Sequence, residues 1–194
     1  MTAVKPSYPL LTSRLILRPF ESGDLDDLFA YMSPPEVSRY LYSEPLADRA
    51  AAKENLVRKM GAIQAENEGD AIFLAVYLPE AERVIGDVML YYTSRGHCQG
   101  EIGFVFHPEF HGRGFATEAA RVVLEIGFQG LHLHRIVARC DARNLASARV
   151  MERLGMALEA HLVENEFVKG EWTDEFVYAI RRGGWEASAQ PVMA

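Results

Sequence analysis

Residues 107–123 read HPEFHGRGFATEAARVV, and this run decides the fold. It joins an alternating apolar segment, EIGFVF at 101–106, to a helical pattern that begins near Thr117. Gly112 and Gly114 allow positive φ angles and a close approach of the backbone to a ligand. The first N–H groups of a helix have no partner one turn back, and the helix dipole makes that end attractive to negative charge. With Arg113 adding a cation, the strand–loop–helix reads as an anion cradle, best suited to phosphate. A plain turn is the competing reading, because the loop lacks the lysine of a Walker A sequence and the third glycine of a dinucleotide fingerprint.

Elements of both kinds extend outward from this loop. Downstream, the pattern predicts a helix over 117–128, a buried strand over 134–140, a helix over 146–154 closed by Gly155, and strands over 158–168 and 172–180 that turn at Lys169 and Gly170. Upstream lie a strand over 100–108 and a hairpin of 71–78 with 83–92 around PEAE. Earlier still, 48–66 reads as a helix. A shorter one starts at Ser22 or Asp24, carries the stripe Leu25, Leu28, Phe29 and Met32, and stops at Pro34 and Pro35. The strand RLILR (14–18) comes first. The expectation is one mixed α/β domain over 1–194 with flexible ends at 1–10 and 184–194.

Composition narrows the partners. Hydrophobic residues make up 49% and charged residues 24% of the 194, the range of an ordinary globular chain. With 27 Asp and Glu against 20 Lys and Arg, the net charge of −7 repels nucleic acid and anionic membrane at long range. No apolar run is long enough for a signal peptide or a membrane span. Cys98 and Cys140 match no metal or disulfide spacing, so a cytoplasmic protein with ordinary thiols is expected. His107 and His111 are separated by Pro108 and cannot share a helical face, and His132 with His134 lacks a carboxylate pair, so no metal is expected.

EIGFVFHPEFHGRGFATEA resembles the acetyl-CoA-binding core of the GNAT N-acetyltransferase superfamily, with His111 where Gln or Arg is usual in its Q/R-x-x-G-x-G/A loop. LLTSRLILRPFESGDLDDL, NLASARVMERLGM and KGEWTDEFVYAI resemble the branch of ribosomal-protein N-terminal acetyltransferases of RimJ and RimL type. The resemblance implies a mixed central sheet of about seven strands with a splayed parallel pair, flanked by about four helices. It implies acetyl-CoA as co-substrate, with the pyrophosphate on the loop residues His111, Gly112, Arg113, Gly114, Phe115, Ala116 and Thr117. The pantetheine arm would lie along Phe104, Val105 and Phe106. Asn144 would touch that arm and Ser147 would lie near the thioester, although both also suit helix caps. The branch further carries the expectation of a homodimer.

An alkylamine with a pKa of about 10.4 is protonated at neutral pH, so transfer to nitrogen gains from a base. Glu101 matches the family's acidic position, whereas Glu118, in the first turn of the loop helix, reads as a structural carboxylate. The tyrosine that many members use as acid is replaced by Met151, leaving Ser147 or a water; an N–H near Val105 would receive the oxyanion. Acceptor contacts are expected from Tyr31, Tyr40, Trp172 and Asp174, with Tyr42 and Phe167 beside them and Glu164 and Glu166 as acidic guides. The acceptor itself is a primary amine, on a protein N-terminus or a small molecule. A coenzyme-A-binding regulator without catalysis is the alternative.

Overall fold

The computed structural model describes residues 4–189. Its single sheet has eight strands: β1 (Leu10–Leu11), β2 (Ile16–Arg18), β3 (Ala71–Leu78), β4 (Arg83–Ser94), β5 (Gln99–Phe106), β6 (Arg135–Asp141), β7 (Ala157–Val168) and β8 (Glu171–Arg181). They lie in the order β1-β2-β3-β4-β5-β6-β8-β7. Every pairing is antiparallel except that of β5 with β6. Six helices accompany it among the described residues: α1 (Leu25–Met32), α2 (Pro35–Ser38), α3 (Arg49–Gly61), α4 (Phe115–Glu125), α5 (Leu145–Arg153) and α6 (Arg182–Ala189).

Alternation along β3 shows how the sheet is covered on both sides. Ile72, Leu74, Val76 and Leu78 join the larger core with Phe115, Ala119, Ala120, Val123 and Leu124 of α4 and Ala148 and Met151 of α5. Ala75 joins the second core, on the opposite face, with Leu28, Tyr31 and Met32 of α1 and Leu56 of α3. The period-2 pattern of the strand therefore decides which helix meets which face.

Sheet and helix counts exceed the expectation for local reasons. The extra strand is the two-residue β1, too short to leave a periodic signal. Pro35 does not merely stop α1; it starts α2 from the first helical position, where a fixed φ and a missing N–H cost nothing. The helix expected over 48–66 ends at Gly61, because Ile63 and Ala65 form bridges with Ile72 and Val4. Of the ends expected to be flexible, 1–3 and 190–194 lie outside the described residues. The adjoining segments are tied down: Val4 N–H donates to the Ala65 carbonyl at 2.8 Å, Tyr8 Oη donates to the Ile63 carbonyl at 2.8 Å, and Trp185 stacks on Phe128 at 5.7 Å.

One polar group is sealed inside the second core. Lys59 of α3 pairs with Asp87 of β4, and Tyr31 Oη of α1 donates to the same carboxylate at 2.6 Å. All three are buried. Burial depresses the Lys59 pKa, with the neighbouring Asp87 charge opposing that effect. Removing one member of such a pair strands the other without compensation. Lys59→Met should cost about 3 kcal/mol in urea unfolding, and Lys59→Met/Asp87→Leu should recover part of that loss.

Candidate active site

β5 and β6 pair over only three residues, Gln99↔Arg135, Gly100↔Ile136 and Glu101↔Val137. Beyond this point β5 follows β4 to Phe106 and β6 follows β8 to Asp141, so the two strands part. Which main-chain groups line the split follows from alternation. Cys98 C=O accepts N–H bonds from His134 and Arg135 on the β6 side, while His107 N–H donates across to Ile85 C=O on the β4 side. Even-numbered residues of β5 thus turn their main chain into the split, and Val105 turns its own toward β4. The Phe104 and Phe106 N–H groups, and not that of Val105, therefore face the split. The Phe106 carbonyl is already met by His111 Nε2 at 2.9 Å, a role for His111 that the sequence did not suggest.

Past Phe106 the chain turns through a short helical segment at Pro108–Phe110 and enters the glycine loop. Gly112 and Gly114 have φ angles of 74° and 83°, and Gly114 caps α4 with no side chain closing its N–H groups. The loop is held from outside by Arg14. Its Nη1 donates to the Arg113 carbonyl at 3.0 Å and its Nε to Glu118 Oε2 at 2.8 Å. Glu118 Oε1 also accepts from Thr12 Oγ1 at 2.6 Å, Ser13 Oγ at 3.0 Å and Arg14 N–H at 3.0 Å. Desolvation works against the charge, yet these bonds from Thr12, Arg14 and Ser13 hold the Glu118 carboxyl below its ordinary value. Glu118 is a latch between 12–14 and the first turn of α4.

A groove of about 420 Å³ runs along the split and under the loop. Every residue expected to contact the cofactor lines it except Arg113, whose guanidinium faces Glu80 at 3.5 Å and lies over the Phe115 ring. Thr117 Oγ1, on the same wall, is buried and has no hydrogen-bond partner among the described residues. Across from it, Asn144 caps α5 by accepting the Ser147 N–H at 3.1 Å, which leaves its amide nitrogen free for a ligand. Apolar walls, an unpaired strand edge, open N–H groups and an orphaned hydroxyl fit an extended thioester with an anionic end.

Glu101 stands at the last paired position before the split, outside the groove lining. Two residues on from its partner Val137, and on the same face, Arg139 Nε lies 3.4 Å from Glu101 Oε2. Arg139 Nη1 also donates to Glu175 Oε2 at 3.0 Å. Glu175, only 2% exposed, further accepts from Tyr42 Oη and from Asn165 Nδ2. Burial raises the Glu101 pKa; Arg139 opposes the rise and Glu175 adds to it. Neither Arg139 nor Glu175 was singled out from the sequence, where each is one charge in an alternating strand; only their register identifies them. Met151 is buried in the core. The Cys140 thiol is raised to about 12 by burial, as suits a core thiol.

The acceptor residues divide. Tyr40 lines the groove. Tyr31 does not: at 0% exposure it is part of the second core and bonded to Asp87, so its nomination is corrected. Asp174 is spent within the final hairpin, on His161 Nε2 at 2.8 Å and Glu164 N–H at 3.0 Å. Trp172, 60% exposed, packs with Phe167 at 5.3 Å near the end of that hairpin, away from the groove. Among the described residues no three His, Cys, Asp or Glu side chains gather as metal ligands, and no helix is long and apolar enough to cross a membrane.

Residues 14–157 match the family model of the acetyltransferase (GNAT) domain. The chain belongs to the GNAT acetyltransferase family. It is 34% identical over 177 residues to the uncharacterized N-acetyltransferase YnaD of Bacillus subtilis, covering 91% of this chain and 98% of that one. A GNAT acetyltransferase structure from Bacillus anthracis superposes with a TM-score of 0.80 at 30% identity, covering 90% of this chain and 99% of the other. The spermidine N-acetyltransferase of Vibrio cholerae, solved with CoA and spermine, gives 0.74 at 25% identity, again over 90% and 99%. As a GNAT protein the chain is an acyltransferase that uses acetyl-CoA, and the groove just described has the shape and polarity for it.

A Cβ at position 114 would sit on a backbone with φ of 83°, so Gly114→Ala should cost about 1 kcal/mol of stability. The same change should weaken acetyl-CoA binding about tenfold by calorimetry, the loss of one main-chain bond to a charged group. Glu118, depressed in the folded state, contributes stability above the ordinary carboxylate range and loses it as pH falls through the depressed value. Glu118→Gln should therefore flatten the acid limb of the stability curve, followed by urea unfolding from about pH 7 to 3.

Proposed function

We propose that this protein transfers the acetyl group of acetyl-CoA to a primary amine by direct attack within a ternary complex. The observation that carries the reading is the split of β5 from β6, which opens at Glu101 and continues as a groove to the start of α4. Bound acetyl-CoA supplies an activated carbonyl and departs as a thiol. The chain's own groups supply the rest. N–H groups of 113–117 hold the pyrophosphate end, and Phe104 and Phe106 pair with the amide-rich arm much as a neighbouring strand would. The Phe104 N–H donates to the carbonyl oxygen as negative charge builds on it. Asn144 orients the arm, and the Ser147 hydroxyl, or a water in its place, relays to the departing sulfur the second proton that the nitrogen sheds on becoming an amide.

Glu101 takes the proton that an incoming ammonium must lose before its nitrogen can attack. Its raised pKa favours this, since a base works best when its affinity for protons approaches the working pH. At the fork itself, Glu101 and Glu175 outnumber Arg139, so the charge there favours a cationic acceptor, either a protein N-terminus, as the RimJ and RimL likeness suggests, or a small polyamine. Tyr40 and Tyr42 belong to the same side. The alternative, a non-catalytic sensor of coenzyme A, draws on the absent tyrosine at Met151 alone. A half-buried carboxylate with a raised pKa at the fork serves a transfer reaction and has no evident use in a sensor.

A thiol-release screen over spermidine, other amines and peptides with free N-termini tests the reading. The accepted amine should show a kcat/KM that declines as pH falls through the raised Glu101 pKa. Glu101→Gln should lose about 10²–10³ in kcat and that pH dependence, with acetyl-CoA affinity unchanged. An unaltered rate and pH profile in the variant would remove Glu101 as the base.

A further inference from the structure

Pairing is the rule for guanidinium groups in this acidic chain: eight arginines, Arg14, Arg139 and Arg143 among them, face a carboxylate. Arg39, Arg58 and Arg121 lie over aromatic rings instead. Arg149 and Arg153 have no carboxylate, ring or carbonyl partner among the described residues, and both line the cofactor groove. They are four apart on α5, hence on one helical face with Cβ atoms about 5–6 Å apart. The opposite face of the helix carries Ala148 and Met151 into the core, so the face that bears the arginines is fixed. Glu36 of α2 is the one carboxylate that lines the groove, and it forms no ion pair with either arginine.

Coenzyme A carries two separate anions, a pyrophosphate and a phosphomonoester on the ribose 3′ carbon. Main-chain N–H groups at a helix start suit the first. A phosphomonoester, with more charge on three equivalent oxygens, is matched by guanidinium groups, whose forked donors bind two oxygens at once. The α4 loop provides the first kind of site and α5 provides the second on another wall of the same groove. We infer that Arg149 and Arg153 bind the 3′-phosphate of coenzyme A and make the protein discriminate it from the dephospho form. The inference rests on the acetyl-CoA reading of the groove.

Calorimetry at low salt with CoA and 3′-dephospho-CoA, on the wild type and on Arg149→Gln/Arg153→Gln, separates the two. Wild type should bind dephospho-CoA about tenfold more weakly, the scale of one charge-assisted contact, and the double variant should bind both ligands alike at the weaker level. Because both side chains are exposed, thermal unfolding of the unliganded variant should match wild type. If wild type binds both ligands equally well, the acetyl-CoA reading stands and the 3′-phosphate assignment falls. If the variant weakens both by the same factor, the arginines serve the pyrophosphate and the assignment falls again. Binding of neither ligand by wild type would overturn both at once.

Discussion

Everything at the site depends on where β5 stops pairing with β6. Three residue pairs hold the strands together, and beyond them β5 stays with β4 while β6 stays with β8. The contact is tight at its centre, where a Cβ on Gly100 would meet Leu133 Cδ1 at 2.6 Å. A sheet seldom leaves interior edges bare, because unpaired main-chain groups lose hydration without gaining a partner. In the proposed reaction this bare edge is what the pantetheine arm pairs with. Its position brings Glu101, at the fork, to one end of the groove and the open N–H groups of α4 to the other.

The two faces of the sheet divide the labour. On the α4 and α5 face the larger core fixes the glycine loop and its latch, Glu118, which draws 12–14 against the helix start. On the other face, α1 and α3 are locked to β4 through the buried Lys59–Asp87–Tyr31 group. Asp87 sits opposite Val105 in register, so that lock bears directly on the strand that lines the split. The chain of Glu101, Arg139, Glu175 and Tyr42 lies on the same face, beside the fork. The buried lock and the Glu101 network thus share one face of the sheet, on neighbouring strands.

How much of this the sequence carried depends on the range of the interaction. The strand–loop–helix of 100–128 was legible because its signals are local: alternation, two glycines, then a helical stripe. Asn144 and Ser147 were legible as a cap and as groove residues for the same reason. Arg139 and Glu175 were not, since their meaning comes from cross-strand register between segments far apart in the chain. Tyr31 misled because a tyrosine on an amphipathic helix looks alike whether its hydroxyl meets solvent or a buried aspartate. The bonds of Asp174 to His161 and Glu164 were not legible, because His161 lies on the neighbouring strand, where pairing with bulges sets the contact.

The split is the central claim, and amide hydrogen exchange with and without acetyl-CoA tests it most directly. The Phe104 amide and those of Phe115, Ala116 and Thr117 should slow markedly on binding, while β1 to β3 stay unchanged. Exchange that is unaffected at those positions and slows instead around the Tyr8–Tyr77 groove on the far edge of the sheet would contradict the account.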